Sequence, residues 1–253
     1  MEEIVISGPE TYASVIQQQS RLLKGRSSSQ GKKIELVQRG GQLELLETSA
    51  ESSSTGSILR HRLAVDLFLK QQKSWPAAKQ KPLSQAMGRK TRSVIDATAG
   101  WGEDALRFCA QGYQVTCLER QPLFALLLED AMRVLAESSW VEKHTVSVPR
   151  VIRGDAVELL GADELVADCV YLDPMFPPKR KSSALTNKRL ALLHRMIGED
   201  ADADTLVQVS AEHYPRTVVK RPNYAEPLWR KPNEQFGGKL IRYDVYFQTG
   251  GRN

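Results

Sequence analysis

From residue 93 onward, short apolar runs alternate with longer segments in which apolar residues recur at helical spacing. Short runs bounded by turn residues are typical of buried strands, and the segments between them are typical of helices packed on a sheet. Residues 104–110 and 122–136 fit helices, and Pro122 suits the first position of the second helix. We therefore predict strands at four places before residue 175: 94–97, 115–119, 149–153 and 169–172.

The alternation continues toward the C-terminus. Helices are predicted near residues 185–197 and 202–211, and a fifth strand is predicted at 217–220. Residues 241–247 alternate in polarity and predict a last strand, which we expect to run antiparallel. Strands and helices in this order predict an α/β fold with a doubly wound, mostly parallel sheet.

The N-terminal part of the chain has a different pattern, which predicts a small α+β subdomain. Residues 34–46 contain two apolar-rich runs that flank Gly40-Gly41, an arrangement that indicates a β-hairpin. Residues 59–70 have helical spacing, and a basic connection with a short helix near residues 83–87 follows. The predicted division is a subdomain with its connector at 1–90 and a main domain at 91–253.

The charges are segregated along the chain, which has a formal net charge of +5. Residues 60–92 contain nine Lys or Arg and one acid, and residues 174–198 contain six Lys or Arg and no acid. Basic surface kept apart from acidic surface is expected of a protein that binds nucleic acid.

The cysteines and histidines predict a protein without a metal site. The three cysteines lie in apolar segments without Cys-x-x-Cys spacing, and the four histidines are scattered. This usage is typical of buried thiols in a reducing compartment. No apolar run approaches the ~18 residues of a membrane span, and the N-terminus lacks the features of a signal peptide. We expect a cytoplasmic monomer without membrane contact.

Acids stand at or just after the ends of the predicted strands. The carboxyl ends of parallel strands share one edge of the sheet, where ligands bind in doubly wound folds. Gly100-x-Gly102 allows a ligand to approach the backbone closely. Glu119 stands where an acid contacts ribose hydroxyls in dinucleotide-binding folds. The strand-end acids are Asp96, Glu119, Asp155 and Asp173.

Residues 100–105 also match the Gly-x-Gly-x-x-Gly/Ala pattern of NAD-binding proteins. However, Glu103 and Asp104 would stand at the helix N-terminus, where a pyrophosphate needs room and no negative charge. A cofactor with a cationic amino-acid tail suits these acids better, and S-adenosylmethionine carries both a sulfonium and an ammonium group. An NAD-linked oxidoreductase remains an alternative.

After the fourth predicted strand come an acid, a stiff turn, an aromatic ring and a basic cluster. Pro174 fixes its own φ and favours an extended Asp173, so that the Asp173 carboxylate and the Pro174 carbonyl can point the same way. Phe176 offers a flat face, and Lys179 and Arg180 can reach phosphates. Two acceptors beside a stacking ring suit a flipped base whose exocyclic amine reacts.

Four motifs between residues 91 and 250 are specific in combination: Asp96-Ala-Thr-Ala-Gly-Trp-Gly-Glu-Asp104, Leu118-Glu-Arg120, Tyr171-Leu-Asp-Pro-Met-Phe-Pro177 and Val219-Lys-Arg-Pro222. Through them the chain resembles the RsmJ family. Those proteins are class I methyltransferases that use S-adenosylmethionine and act on a guanine N2 of bacterial small-subunit (16S) ribosomal RNA. The resemblance implies a seven-stranded sheet of that class, S-adenosylmethionine as cofactor, and 16S rRNA or the small ribosomal subunit as partner.

With a guanine amine as the target, the stretch after the fourth predicted strand suggests roles for individual residues. Asp173 and the Pro174 carbonyl would accept the two N–H groups of the guanine amine, and Phe176 would stack on the base. Attack on the methyl group then depends more on alignment than on acid–base power. The candidate RNA-phosphate contacts are Lys179, Arg180, Lys220 and Arg221. The resemblance implies cofactor contacts at Glu103, Asp104, Glu119, Arg120, Asp155, Ala156 and Asp173, and the strand-end acids and the glycine turn add Asp96 and Gly100 as candidates.

Two further alternatives stay open. An amino methyltransferase acting on adenine in nucleic acid or on a protein amide would need the same pair of acceptors. A non-catalytic RNA-binding protein would keep the basic clusters without a working cofactor site.

Overall fold

The structure is a computed structural model that describes residues 2–3, 5–23, 27–28, 32–49, 58–72, 76–77, 81–175, 192, 196 and 201–249. Its N-terminal unit contains a sheet of four strands: β2 (Val5–Ser7), β4 (Lys32–Arg39), β5 (Gln42–Ser49) and β6 (Leu59–His61), in the order β2-β4-β5-β6. A short ladder of β1 (Glu2–Glu3) with β3 (Ser27–Ser28) and the helix α1 (Ala13–Leu22) complete the unit. The predicted hairpin is confirmed, because Arg39 pairs with Gln42 across Gly40-Gly41.

The prediction of one helix over residues 59–70 is wrong for its first half. Residues 59–61 form β6, and the helix α2 spans only Val65–Lys70. His61 stands opposite Leu45 of β5, and its Nε2 lies 3.1 Å from Oε2 of Glu47, with both side chains buried. Strand pairing and this buried contact outweigh the local helical spacing, since tertiary context routinely overrides a local preference.

The main domain is organised around a seven-stranded sheet in the order β12-β13-β11-β10-β7-β8-β9. Strands β7 to β11 run parallel to one another, β13 runs antiparallel to β11, and the edge strand β12 pairs antiparallel with β13. The predicted mostly parallel sheet with a last antiparallel strand is therefore confirmed. The strands are β7 (Ser93–Asp96), β8 (Gln114–Glu119), β9 (Arg150–Arg153), β10 (Cys169–Leu172), β11 (Arg216–Pro222), β12 (Glu234–Gly237) and β13 (Ile241–Phe247).

Helices cover both faces of this sheet. Successive strand residues point to opposite faces, so Val94 and Tyr171 join one apolar core while Ile95 and Leu172 join a second. The helices are α3 (Lys81–Met87), α4 (Glu103–Ala110), α5 (Pro122–Ala136), α6 (Ser139–His144), α7 (Ala156–Gly161) and α8 (Ala203–His213). The first core is closed by α3, α4 and α5, and the second by α7 and α8.

The three cysteines are buried in these cores as free thiols, as predicted. Burial raises the pKa of each thiol, to about 12 for Cys109 and Cys169. The helix predicted at 185–197 lies outside the described residues except for Leu192 and Met196, and both are buried.

The N-terminal unit shares a core with α5. Leu36 and Leu45 of its sheet pack in one cluster with Trp101, Phe124 and Leu127. Buried hydrogen bonds reinforce this contact: the Gln19 side chain donates to Gln121 and accepts from the backbone N–H of Leu123. The predicted domain boundary between residues 90 and 91 stays a prediction. Trp101 packs against side chains of the N-terminal sheet and of α5, which lie on either side of that boundary in the sequence.

Gly102 is required by two separate constraints, which give a stability prediction. Its φ is +80°, and a Cβ there would clash with Cδ1 of Leu128, which is buried. Left-handed backbone costs a non-glycine residue about 1–2 kcal/mol, and overpacking a core adds about 1–3 kcal/mol. We expect Gly102→Ala to lower the free energy of unfolding by about 2–5 kcal/mol in urea titrations.

Gly40→Ala is the matched control for this prediction. Gly40 also has a positive φ of +58°, but no atom lies within 4 Å of the position of an added Cβ. This variant isolates the backbone cost, so its loss of stability should be clearly smaller. Equal losses of unfolding free energy in the two variants would show that the clash with Leu128 does not contribute to the destabilisation.

Candidate active site

The main domain has a cleft at the point where the strand order of its sheet reverses. The strand β7 sits between β8 and β10, so that the chain winds one way through β8 and β9 and the other way through β10 and β11. The loops that leave these strands separate at this point, which is where ligands bind in doubly wound folds. An open cleft of about 630 Å³ is found there. The predicted site residues that line it are Gly100, Glu119, Arg120, Asp155, Ala156, Asp173 and Pro174.

Glu119 ends β8 with its carboxylate held by backbone donors. The N–H of Gly100 donates to Oε2 at 2.9 Å, and the N–H of Gln121 donates to Oε1 at 2.7 Å. Each carboxylate oxygen can accept about two hydrogen bonds. The backbone contacts fix the direction in which both oxygens point, and carboxylate oxygens are the acceptors that ligand hydroxyls require.

Arg120, the residue after Glu119, links two acids that also line the cleft. Its Nη1 lies 2.7 Å from Oδ2 of Asp202 and 3.6 Å from Oδ2 of Asp155. Asp155 is also the N-cap of α7, because its Oδ1 accepts from the N–H of Val157 at 2.9 Å. This arrangement ties the loops after β8 and β9 to the start of α8.

The remaining cleft wall between these polar groups is apolar. It includes Leu118 at the end of β8, Val157 on α7, and Ala203 and Leu206 on α8. An apolar slot with polar groups at its ends is the usual form of a site for a flat heterocycle that carries a polar substituent.

Asp96 lies beneath the cleft rather than on its surface. Its side chain is buried, and its Oδ1 accepts from the N–H of Thr98 at 3.3 Å. Burial, followed by the nearby Asp104, raises the pKa of the Asp96 carboxyl well above its usual range. Thr98 in turn accepts a hydrogen bond at its Oγ1 from the N–H of Asp173, at 2.7 Å. Asp96 thus supports the loop that positions Asp173.

Lys220 on β11 joins the acids at the end of β10. Its Nζ lies 2.7 Å from Oδ2 of Asp173 and 3.3 Å from Oδ2 of Asp104. The hydroxyl of Tyr171 donates to the same Asp104 oxygen at 2.8 Å. Burial lowers the pKa of Lys220, but the Asp173 and Asp104 carboxylates outweigh it and raise the pKa above its ordinary value.

Several predicted residues stand apart from the cleft. Glu103 is exposed at the start of α4 and does not line the cleft, and Asp104 belongs to the Lys220 network. Arg221 was predicted to contact RNA phosphates, but its side chain is buried and its guanidinium donates to the carbonyl of Glu226. Three predicted residues lie outside the described part of the chain: Phe176, Lys179 and Arg180.

Sequence reasoning missed two side chains of the site, Thr98 and Asp202, and gave a third, Lys220, a different role. Thr98 lies within the Asp96–Asp104 motif, but nothing in the sequence indicated that its hydroxyl accepts a hydrogen bond from the backbone of Asp173. Asp202 precedes α8 in an acidic cluster and resembles an ordinary helix start. Lys220 was predicted as a phosphate contact, because a lone Lys at a strand end does not reveal which neighbours face it.

The fold and the cleft define an S-adenosylmethionine-dependent methyltransferase of the Rossmann-like class. Over residues 18–248 the chain matches the family described as "Putative SAM-dependent methyltransferase". It is 41% identical over 175 residues to the ribosomal RNA small subunit methyltransferase J of Thioalkalivibrio sulfidiphilus, an alignment that covers 66% of this chain and 68% of that protein. The chain belongs to the ribosomal RNA small subunit methyltransferase J family.

Two further comparisons agree with this assignment. The methyltransferase J of Hydrogenovibrio crunogenus is 38% identical over 174 residues, covering 66% of this chain and 62% of that protein. The chain thus spans about two thirds of the length of these relatives. A crystal structure of a SAM-dependent methyltransferase from Neisseria gonorrhoeae superposes with a TM-score of 0.59 at 25% identity, covering 97% of each chain.

The side chains present fit the cofactor that this family uses. The Glu119 carboxylate suits ribose hydroxyls, and the apolar slot beside Leu118 and Leu206 suits an adenine ring. The strand-end acids give the site the negative charge that a cationic sulfonium compound requires. Among the described residues there is no cluster of His, Cys, Asp and Glu that would hold a metal ion, and no described helix is both long and apolar enough to cross a membrane.

Proposed function

We propose that this protein transfers a methyl group from S-adenosylmethionine to the exocyclic N2 of a guanine in small-subunit (16S) ribosomal RNA, as a cytoplasmic monomer. The observation that carries the proposal is the Asp173-Pro174 pair at the edge of the cofactor cleft, in a chain whose relatives are ribosomal RNA small subunit methyltransferases. Two acceptors at one strand end match the two N–H groups of an exocyclic amine.

The cleft residues would hold the cofactor, which supplies an electrophilic methyl group when bound. Glu119 would accept the ribose hydroxyls, and Arg120 with Asp155 would close the slot around the adenine. Asp173 would accept one N–H of the guanine amine, and the Pro174 carbonyl would accept the other. Lys220 donates to Oδ2 of the Asp173 carboxylate, and a carboxylate offers about four acceptor sites in all.

Holding the amine by two acceptors has a chemical consequence. The nitrogen lone pair of guanine N2 is delocalised into the ring, and acceptors on both N–H groups favour a more pyramidal, nucleophilic nitrogen. The remaining task is alignment of this nitrogen with the methyl group, and well-oriented intramolecular reactions gain about 7–11 kcal/mol from alignment. Phe176 would stack on the base, and Lys179 and Arg180 would contact phosphates. We assign Arg221 to the protein interior because its guanidinium is buried.

Transfer of tritium from labelled S-adenosylmethionine tests the proposal. We expect label to enter 16S rRNA or small ribosomal subunits from cells that lack the endogenous activity, and nuclease digestion with mass spectrometry should recover N2-methylguanosine. DNA and total protein serve as competing substrates, and they separate this function from that of another amino methyltransferase. Label in DNA or protein alone would overturn the proposal, as would tight binding of NADH without binding of S-adenosylhomocysteine.

A further inference from the structure

The ammonium group of Lys220 lies between the carboxylates of Asp173 and Asp104, at the edge of the cleft. Its ammonium is 2.7 Å from Asp173 and 3.3 Å from Asp104, with the Lys220 side chain 24% exposed and that of Asp104 15% exposed. Partly desolvated ion pairs at these distances are stronger than surface pairs, because less water screens them. The ammonium is therefore held in one place by two partners on different elements, the end of β10 and the first turn of α4.

Other titratable and charged groups face this pair from several elements of the fold. Asp96 lies beneath it on β7, Tyr171 contacts Asp104 from β10, Tyr243 faces it from β13, and Arg107 pairs with the other oxygen of Asp104. Within this group, Lys220 is the cation in hydrogen-bonding contact with Asp173. Removal of that cation takes away a positive charge that favours the ionised form of Asp173, whereas the carboxylate of Asp104, which contacts the same ammonium, favours the protonated form.

Protonation of Asp173 would remove the acceptor that the reaction requires. A protonated carboxyl group donates through its own O–H and loses acceptor strength at that oxygen. The Asp173 side chain would also lose the contact that fixes the direction of Oδ2. Both changes act on the alignment of the amine and leave the adenosine side of the cleft untouched.

We propose that Lys220 is a positioning residue for the methyl transfer, which holds the Asp173 carboxylate ionised and oriented toward the target amine. This inference rests on the proposed function, since it assigns Asp173 the role of amine acceptor. It also replaces the phosphate contact predicted from sequence, because Lys220 would have to leave two carboxylates to reach an RNA phosphate.

The pH dependence of single-turnover methylation tests this role. An opposite charge within about 4–6 Å lowers the pKa of a carboxyl group by about 1–3 units. Activity that needs an ionised Asp173 is lost as the pH falls through its pKa, so we expect Lys220→Met to move the acidic limb upward by about 1–2 pH units. Lys220→Arg, which keeps the cation, should return the limb toward that of the wild-type protein.

Two more variants separate charge from structure. Lys220→Gln keeps a hydrogen-bond donor without the charge, and it should show the same upward movement even if Lys220→Met fails to fold. Lys70→Met removes an exposed cation on α2 and should leave the profile unchanged. Titration with S-adenosylhomocysteine should give nearly the same affinity for all folded variants.

The outcomes distinguish the inference from the function on which it rests. Wild-type protein that methylates rRNA, with Lys220→Gln and Lys220→Met variants that keep its acidic limb, would overturn the positioning role alone. A phosphate contact would instead appear as a lower salt slope of RNA binding in Lys220→Gln, with no change in the pH profile. Wild-type protein that methylates no rRNA would overturn the proposed function itself.

Discussion

Asp173→Ala is expected to lower the rate of methyl transfer to 16S rRNA by about 10²–10³-fold, the effect of removing one preorganised polar contact to the reacting group. The Asp173 carboxylate is the acceptor that the proposed reaction needs, and its position is fixed by Thr98 on the backbone side and by Lys220 on the side-chain side. Quench-flow measurement at saturating cofactor reports this loss directly, because cofactor binding then no longer limits the rate.

Two comparisons test whether this loss is specific. Asp173→Asn keeps one acceptor oxygen but sets an amide against the Lys220 ammonium, so we expect an intermediate rate. Asp66→Ala removes an exposed carboxylate on α2 and should leave the rate unchanged. Thermal unfolding should show that Asp173→Ala remains folded, since Asp173 is only half-buried. A folded Asp173→Ala protein with the wild-type rate would refute the acceptor role.

Much of the sheet could be predicted because its signals are local. Four strands that end near acids, with helices of regular apolar spacing between them, leave few alternatives to a parallel doubly wound sheet. The strand ends then bring Glu119, Asp155 and Asp173 to one cleft without any knowledge of the tertiary contacts. The strand β6 was missed because its formation depends on pairing with β5, a contact that local spacing does not encode.

The parts of the site that could not be predicted depend on which side chains meet across elements. Lys220 is separated by 47 residues from Asp173 and by 116 from Asp104, so no short motif reports their contact. Arg120 meets Asp202 across 82 residues in the same way. Trp101 belongs to a quoted motif, but its packing against Phe124, with ring centroids 4.9 Å apart, became visible only with the fold. Sequence patterns thus located the acids, and the structure supplied their partners.

Glu119→Gln is expected to weaken cofactor binding by about 10–100-fold, because a buried donor left without an acceptor costs about 1–3 kcal/mol and each 1.4 kcal/mol is tenfold in affinity. In the wild-type protein each Glu119 oxygen accepts one backbone N–H, from Gly100 and from Gln121. The NH₂ group of a glutamine side chain cannot accept a hydrogen bond, so one of these two backbone N–H groups would lose its acceptor and the loop after β7 would be disturbed. The same substitution removes one acceptor for a ribose hydroxyl.

Calorimetric titration with S-adenosylhomocysteine measures the loss, and the rise in melting temperature on adding the ligand gives an independent value. Glu137→Gln, at the exposed end of α5, controls for the loss of one carboxylate and should bind the ligand normally. Because Glu119 and Asp173 lie at the ends of different strands, Asp173→Ala should reduce this affinity far less than Glu119→Gln does. Equal affinity in Glu119→Gln and wild-type protein would place the ribose elsewhere, whereas a selective loss would assign cofactor binding to the end of β8 and base chemistry to the end of β10.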